Sequence, residues 1–442
     1  MKKRRILVLS RSVVGSRMSA PGIRAYHMAQ VLGRALPEAE VTLGAPDYSD
    51  IQPEPEFKVV RYSRASLNWL FYRYDIVISL SFPPLSLPAM ARTHFVLDFF
   101  SNFAMEWMEV AKTQRNARKR WTWYENQRQY MNLQFTAADF ITCNNERQRD
   151  FFIGTLQSLG LISGEVYDRD HDLRKLIASC PHGVRPDEGT GNREQGTGES
   201  AAPIPYSLFP VPWERSDRVF LWNAGMVGWY DPVTAIRAVH ALSRERPDVK
   251  LVCIGSRYPD PGFPAEDPTF QAAIDTAEEL GLTDTHVFFV RGWLPYEEVK
   301  HYLRHSYLGL STYFNNAETH YAHRTRFLDL IWGELPIVCT RGDVLSELVE
   351  QRGLGVTVPE GGVETVVCAL RRLLDDAAFY DSCVANLRIL KQELSWDQTL
   401  APLVEFCRNP QPVAVAKSKR LAPLVRRTAG YLFWRAMNKV VR

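Results

Sequence analysis

The sequence is poor in the features that settle a protein's class at once. Its seven cysteines, at positions 143, 180, 253, 339, 368, 383 and 407, are odd in number, scattered and without short metal-ligand spacing. That pattern argues against a zinc site or a disulfide framework and suits a reducing cytosol. No apolar run approaches the roughly 20 residues of a membrane-spanning helix. The basic opening MKKRRILVLSRSVVGS is continuously apolar only from Ile6 to Leu9, too short for a signal-peptide core. The loop after that first apolar run carries Gly15, Ser19, Pro21 and Gly22 but not the full dinucleotide-binding glycine pattern. Acid is missing from the C-terminal tail: residues 417–442 hold eight Lys or Arg and no Asp or Glu, so a net charge of +3 hides a body of −5.

What is there is an ordinary globular composition, 45% hydrophobic and 23% charged over 442 residues, long enough for two domains of about 200 residues. Short, continuously apolar runs read as buried strands: Ile6–Ser10, Val41–Leu43, Lys58–Arg61, Ile76–Leu80, His94–Asp98, Ala138–Cys143, Val219–Asn223, Leu251–Ile254, Val287–Val290, Leu308–Ser311 and Ile337–Thr340. Helices are expected between them, from about Ile23 to Leu36, after Asn144, from Val233 to Leu242 and from about Tyr296. The alternation predicts an α/β chain of two doubly wound, Rossmann-like domains facing a cleft.

The densest chemistry lies in FNNAETHYAHRTRFLDLIWGELPIVCTRGD at 314–343. It reads as a loop, a short helix carrying Phe327, Leu328 and Ile331 on one side and stopped by Gly333, and a buried strand. Arg324 and Arg326 near a helix N-terminus suit a diphosphate, because donors, dipole and full charges favour the same anion. Asp329 shares a face with Arg326 and can accept hydrogen bonds from ribose hydroxyls; the plainer alternative is a surface ion pair of a few tenths of a kcal/mol. Asp98, ending a strand, is either a substrate contact or a helix cap.

Two segments look outward. Between Glu106 and Tyr130, six Lys or Arg interleave with Trp107, Trp121, Trp123, Tyr124 and Tyr130. This suits an anionic membrane interface, single-stranded nucleic acid, or a half-buried helix with a solvated basic face. In the tail, Leu421, Val425, Ala429, Leu432, Ala436 and Val440 form a helical stripe opposite Arg420, Arg427, Arg435, Lys439 and Arg442. That is the pattern of an interfacial helix, with a solvated or protein-bound tail as the alternative.

Taken in order, MSAPGIRAYHMAQVL at 18–32, LWNAGMVGWYDPVTAIRA at 221–238, VCIGSRYP at 252–259, VFFVRGWLPYEEV at 287–299, the 314–343 stretch, LGVTVP at 354–359 and SWDQTLAPLVEFC at 395–407 resemble one family. It is the retaining, nucleotide-sugar-dependent group 1 (family 4) glycosyltransferases of GT-B architecture. The resemblance implies an acceptor-side domain at 1–185, a Gly/Glu/Pro-rich linker or insertion at 186–217, a nucleotide-sugar domain at 218–385, a helix crossing back at 386–410 and the basic tail at 417–442. It implies sugar transfer from a nucleoside diphosphate with retained configuration and no covalent protein nucleophile, while the basic tail and the 106–130 segment point to a lipid-linked or surface-glycan acceptor. No cofactor or metal is expected beyond the donor substrate, nucleic acid is not expected as a partner, and the protein is placed in the cytoplasm against the inner membrane face.

At the level of residues, the resemblance puts Asp329 where the family's ribose-binding Glu stands and Tyr321 where its other Glu, eight residues earlier, stands. Glu318 is the nearby carboxylate left for the sugar. The family's cations after the second glycine loop are replaced by MVGWYD, which transfers the phosphates to Arg324 and Arg326, with Arg257 and Arg24 behind them. The catalytic candidates are therefore Arg324, Arg326, Glu318 and Asp98. Donor-binding candidates are Gly22, Arg24, Gly225, Trp229, Asp231, Arg257, Arg291, Gly292, Trp293 and Asp329. An epimerase of the same fold and a non-catalytic partner in glycan assembly remain the alternatives.

Overall fold

The computed structural model describes residues 3–112, 115–186, 214, 216–255, 267–290 and 292–440. The chain divides into two compact units: Met1–His182 with Tyr321–His323 and Trp396–Arg442, and Gly183–His320 with Arg324–Ser395. Most of the expected linker or insertion at 186–217 lies outside the described residues.

The first unit holds seven strands: β1 (Arg4–Leu9), β2 (Ala39–Pro46), β3 (Lys58–Tyr62), β4 (Ile76–Ser79), β5 (His94–Asp98), β6 (Phe140–Cys143) and β7 (Ile177–Ser179). They form one parallel sheet in the order β3-β2-β1-β4-β5-β6-β7. The order reverses between β1 and β4, where Leu9 lies opposite Ser79. Both faces of the central strands are covered, so all four residues of β4 and of β6 are buried, which is why these strands read as unbroken apolar runs.

The second unit holds β8 (Arg218–Trp222), β9 (Val249–Cys253), β10 (Val287–Phe289), β11 (Leu308–Ser311), β12 (Ile337–Thr340) and β13 (Gly355–Val358), in the order β10-β9-β8-β11-β12-β13 and again parallel. Its reversal point lies between β8 and β11. Each unit is thus doubly wound, as expected.

Several local expectations change. The first helix runs Ala20–Ala35, three residues earlier than its apolar pattern begins, because Ser19 is extended at the N-cap and Pro21 fits the first turn. The segment after Glu106 is two helices, Phe103–Ala111 and Ala117–Ala137, capped by the side chains of Asn102 and Asn116. The helix expected from Tyr296 begins at Val299. Where a loop is expected before Arg324, a short helix spans Ala317–Tyr321.

The tail forms the helix Lys417–Val440, with Pro423 and Gly430 inside it, and packs on the first unit through the side that carries Arg420. Arg420 is buried and paired with Asp139, donating also to the carbonyl of Ala138 at 2.6 Å. Leu424 and Tyr431 follow it at helical spacing on the docked side. The apolar stripe of Leu421, Val425, Leu432 and Val440 is left exposed, together with Phe433. Buried cations with carboxylate and carbonyl partners, and long apolar stems, make a basic face as dockable as an apolar one.

Six of the seven cysteines are buried and Cys368 is exposed. Burial pushes the thiols of Cys180 and Cys407 up to about 12.

Candidate functional site

Open parallel sheets hold ligands beyond the carboxyl ends of their strands, beside the point of reversal. In the second unit that place is built from the loops after β8 and β11. They are laced together: the amide of Asp231 donates to the carbonyl of Thr312 at 2.9 Å, and the Thr312 hydroxyl returns to the carbonyl of Asp231 at 2.6 Å. Tyr230 and Tyr313 pair as an isolated antiparallel bridge.

Asn223, the first residue past β8, reaches across this edge. Its Nδ2 donates to the carbonyl of Arg326 at 3.0 Å and lies 3.4 Å from Asp329 Oδ2. Arg326 Nη1 donates to the same Asp329 oxygen at 3.2 Å, and its guanidinium sits 5.0 Å from the centroid of the Trp293 ring. The Arg326 and Asp329 side chains keep 19% and 14% of their exposure, so both remain reachable from solvent. Gly292, before Trp293, has a φ of +93°, a conformation that glycine adopts without strain and that sets the turn presenting the indole. A cation, a carboxylate, an amide and an aromatic face thus converge on one spot. Asn223 is absent from the candidates named by sequence; its only signal was that of a polar residue closing an apolar strand.

Arg324, two residues before Arg326, has a different environment. Its guanidinium is buried and makes a two-pronged pair with Glu318, Nη1 to Oε1 at 2.9 Å and Nη2 to Oε2 at 2.7 Å, and Nη2 also reaches Thr319 Oγ1 at 3.0 Å. The side chains of Arg324 and Glu318 are 5% and 4% exposed. Asp343 Oδ2 stands 3.9 Å from Arg324 Nε, and the rings of Tyr230 and Tyr313 flank the guanidinium at 5.2 and 5.1 Å. Burial works against the Arg324 charge, but the Glu318 carboxylate outweighs it and holds the cation more firmly than usual. Burial also raises the Asp343 carboxyl, which Arg324 only partly offsets. Glu318 and Arg324 therefore engage each other, where the sequence suggested one for the sugar and one for a phosphate. The helix Arg326–Trp332 is seven residues long, and its Thr325 cap makes no side-chain hydrogen bond.

The remaining candidates of this unit have backbone or capping contacts. Asp231 caps the helix Pro232–Ser243, accepting from the Thr234 amide at 3.1 Å and hydroxyl at 2.5 Å. The carbonyl of half-buried Trp229 accepts from the Phe314 amide at 3.1 Å, and Gly225 lies half-buried in the same loop. Arg257 and Arg291 lie outside the described residues.

The first unit has a second polar cluster at the carboxyl edge of its sheet. Arg24, 1% exposed, grips Asp98 through Nε at 2.8 Å and Nη2 at 2.7 Å. The Thr142 hydroxyl donates to Asp98 at 2.6 Å. Asn144 Oδ1 lies 3.4 Å from Arg24 Nη1 and 3.0 Å from His182 Nδ1. The helix-cap alternative for Asp98 falls away, because Asn102 caps that helix through the Met105 amide. Gly22 is set by close approach of the backbone, since a Cβ there would lie 2.3 Å from the carbonyl oxygen of Val13.

Around this cluster His182 Nε2 and both ring nitrogens of His323 are buried without a hydrogen-bond partner among the described residues. Burial, with the Arg24 charge added, lowers His323 to about 3 and drives His182 well below its ordinary range, so both are neutral at pH 7. Tyr321 belongs to this unit; its carbonyl accepts from Gln148 Nε2 at 3.0 Å and its ring meets Phe151 edge-on at 5.2 Å.

No protein-family model matches the chain. No curated protein matches it either. Solved structures do match in fold. A sucrose-phosphate synthase from Thermosynechococcus elongatus superposes with a TM-score of 0.60 at 15% identity, covering 92% of this chain and 99% of the other. HepE of Anabaena, solved with UDP-glucose, gives 0.55 at 12% identity over 91% and 99%. WaaG, a glycosyltransferase involved in lipopolysaccharide biosynthesis, gives 0.56 at 13% over 92% and 99%. The fold is GT-B: two parallel-sheet α/β units of the kind these enzymes share.

Proposed function

We propose that this protein is a glycosyltransferase that moves a sugar from a nucleoside diphosphate to a lipid-linked or surface-glycan acceptor, with retention of configuration. The observation that carries the reading is the convergence of Asn223, Trp293, Arg326 and Asp329 beside the β8/β11 reversal. Asp329 accepts ribose hydroxyls, with Asn223 fixing its oxygen, and Trp293 offers a ring for stacking. Arg326 faces the diphosphate. Negative charge grows on that leaving group as the glycosidic bond breaks, so a guanidinium placed there stabilises the transition state more than the ground state. That solved proteins of this fold include one holding UDP-glucose supports a nucleotide sugar as the donor.

The acceptor side of the reading rests on the outer face of the tail. Leu421, Val425, Leu432, Phe433 and Val440 are 49–80% exposed, Trp121 of a neighbouring helix is 56% exposed, and Arg426, Arg435 and Lys439 accompany them. Among the described residues no helix is long and apolar enough to cross a membrane. An amphipathic helix of this kind lies in an anionic leaflet, each cation adding about 1 kcal/mol. The engagement of Arg24 with Asp98 and of Arg324 with Glu318 favours a second reading, a non-catalytic partner in glycan assembly.

Titration of UDP, GDP and dTDP against the wild type and Arg326→Ala is the direct test. One nucleotide should bind, and the substitution should weaken it by roughly 1.5–3 kcal/mol, as for a charged hydrogen bond. Failure of all three with membranes supplied would sink the transferase in favour of the non-catalytic partner.

A further inference from the structure

Within the first unit, four helices, Phe103–Ala111, Ala117–Ala137, Glu146–Ser158 and Lys417–Val440, enclose a groove of about 780 Å³. That volume falls in the range of about 300–1,000 Å³ typical of small-ligand sites. Its lining is divided by chemistry. Met105, Met131, Phe151 and Leu159 supply an apolar wall, and Arg128, Arg426 and Arg427 a cationic one.

The charges are not equivalent. Arg128 is neutralised by Glu125, to which its Nε donates at 2.8 Å. Among the described residues Arg427 donates once, to the carbonyl of Leu159 at 3.2 Å, and its buried Nε has no hydrogen-bond partner. Neither Arg426 nor Arg427 has a carboxylate within ion-pair distance among the described residues, although they are neighbours in sequence and repel each other. Two uncompensated guanidiniums beside a methionine- and phenylalanine-lined wall call for a ligand with an anion at one end and hydrocarbon at the other. The same helix carries the exposed stripe of Leu421, Val425 and Leu432, so the groove adjoins an apolar surface.

We infer that this groove binds one molecule of a phosphate-headed lipid, the phosphate on Arg426 and Arg427 and the chain along Met105, Met131 and Phe151. The inference rests on the membrane-contact part of the proposed function and adds to it a defined single-molecule site, apart from the reversal-point cluster in the other unit.

Decyl phosphate, kept below its micellar concentration, serves as the probe for calorimetric titration of the full-length protein. Inorganic phosphate and decanol separate the contributions of head and chain. The groove is to be plugged by Gly154→Trp: Gly154 lines it and a Cβ there meets nothing within 4 Å, so the backbone accepts a side chain at that point, and cooperative unfolding of the variant checks that it folds. The second variant is Arg426→Glu with Arg427→Glu. The wild type should bind one equivalent of decyl phosphate at least about tenfold more tightly than either fragment, and each variant should weaken it about tenfold or more, the equivalent of one charged hydrogen bond or of losing the cavity.

Equal binding of inorganic phosphate, equal binding by Gly154→Trp, or no binding by a wild type that still unfolds cooperatively would each overturn the site. Sedimentation with anionic vesicles, run alongside, reports the membrane contact itself. Vesicle binding without decyl phosphate binding defeats the groove and leaves the membrane reading standing; loss of vesicle binding by the wild type defeats the membrane reading.

Discussion

Arg324 and Arg326 are two residues apart and differ in almost everything a side chain can do. One is buried against Glu318 with both prongs engaged; the other pairs through a single hydrogen bond with Asp329 and keeps a fifth of its exposure beneath Trp293. The sequence places both at the start of one helix and so gives them one role. The structure separates them because the short helix Ala317–Tyr321 folds Glu318 back onto Arg324, a contact six residues long that helical periodicity does not anticipate. Proximity in sequence is thus a poor guide to which of two cations meets a ligand; the carboxylate that reaches it first decides.

Breaking the buried pair should have the largest effect. Glu318→Ala leaves a buried guanidinium unpaired and should cost about 3–5 kcal/mol of stability in urea unfolding. The double change Glu318→Leu with Arg324→Met should recover most of that loss, since replacing both charges is far cheaper than stranding one. If Glu318→Ala unfolds like the wild type, the pair is not structural. On the other side of the comparison, Arg326→Ala should leave stability within about 0.5 kcal/mol. Its effect should fall on nucleotide affinity; a reversed outcome, with stability lost and affinity kept, would exchange the two roles.

The Arg24–Asp98 pair sharpens the contrast through pH. His182 and His323 beside it are held neutral, with folded values far below 6.5 and that of His323 about 3. Depressed histidines contribute stability that is full above the unfolded value and is lost as pH falls through the window from 6.5 towards 3, because the unfolded chain takes up protons the folded one refuses. His323→Gln should therefore lessen the fall in stability below pH 6.5 by about 1 kcal/mol per pH unit. An unchanged slope would show that His323 protonates freely in the folded state. The smallest expected effect is at the aromatic face: Trp293→Leu should weaken nucleotide binding by about 0.5–1 kcal/mol, the worth of an exposed cation–π contact and part of a stacking surface.

Much of the scaffold was legible. Continuous apolar runs marked β4, β5 and β12 to within a residue, because parallel strands covered on both faces must be apolar throughout. β7 and the helix Gly164–Arg169 went unmarked, one being three residues long and the other having a single buried side chain, Val166. The Arg326–Asp329 spacing was visible since a helix brings such residues together. The bond between Arg24 and Asp98 spans 74 residues and has no local signature. The tail's period and its apolar stripe are legible, but periodicity does not reveal what lies across from the other side, here the buried Asp139 carboxylate that draws Arg420 in.

The distribution of thiols gives the molecule a native chemical clock. With Cys368 alone exposed, the folded chain offers a maleimide one equivalent, and the other six sulfurs become available only as the surrounding packing opens. Because Cys143, Cys180 and Cys407 lie in the first unit and Cys253, Cys339 and Cys383 in the second, the order in which masses are added tells which half of the chain breathes first.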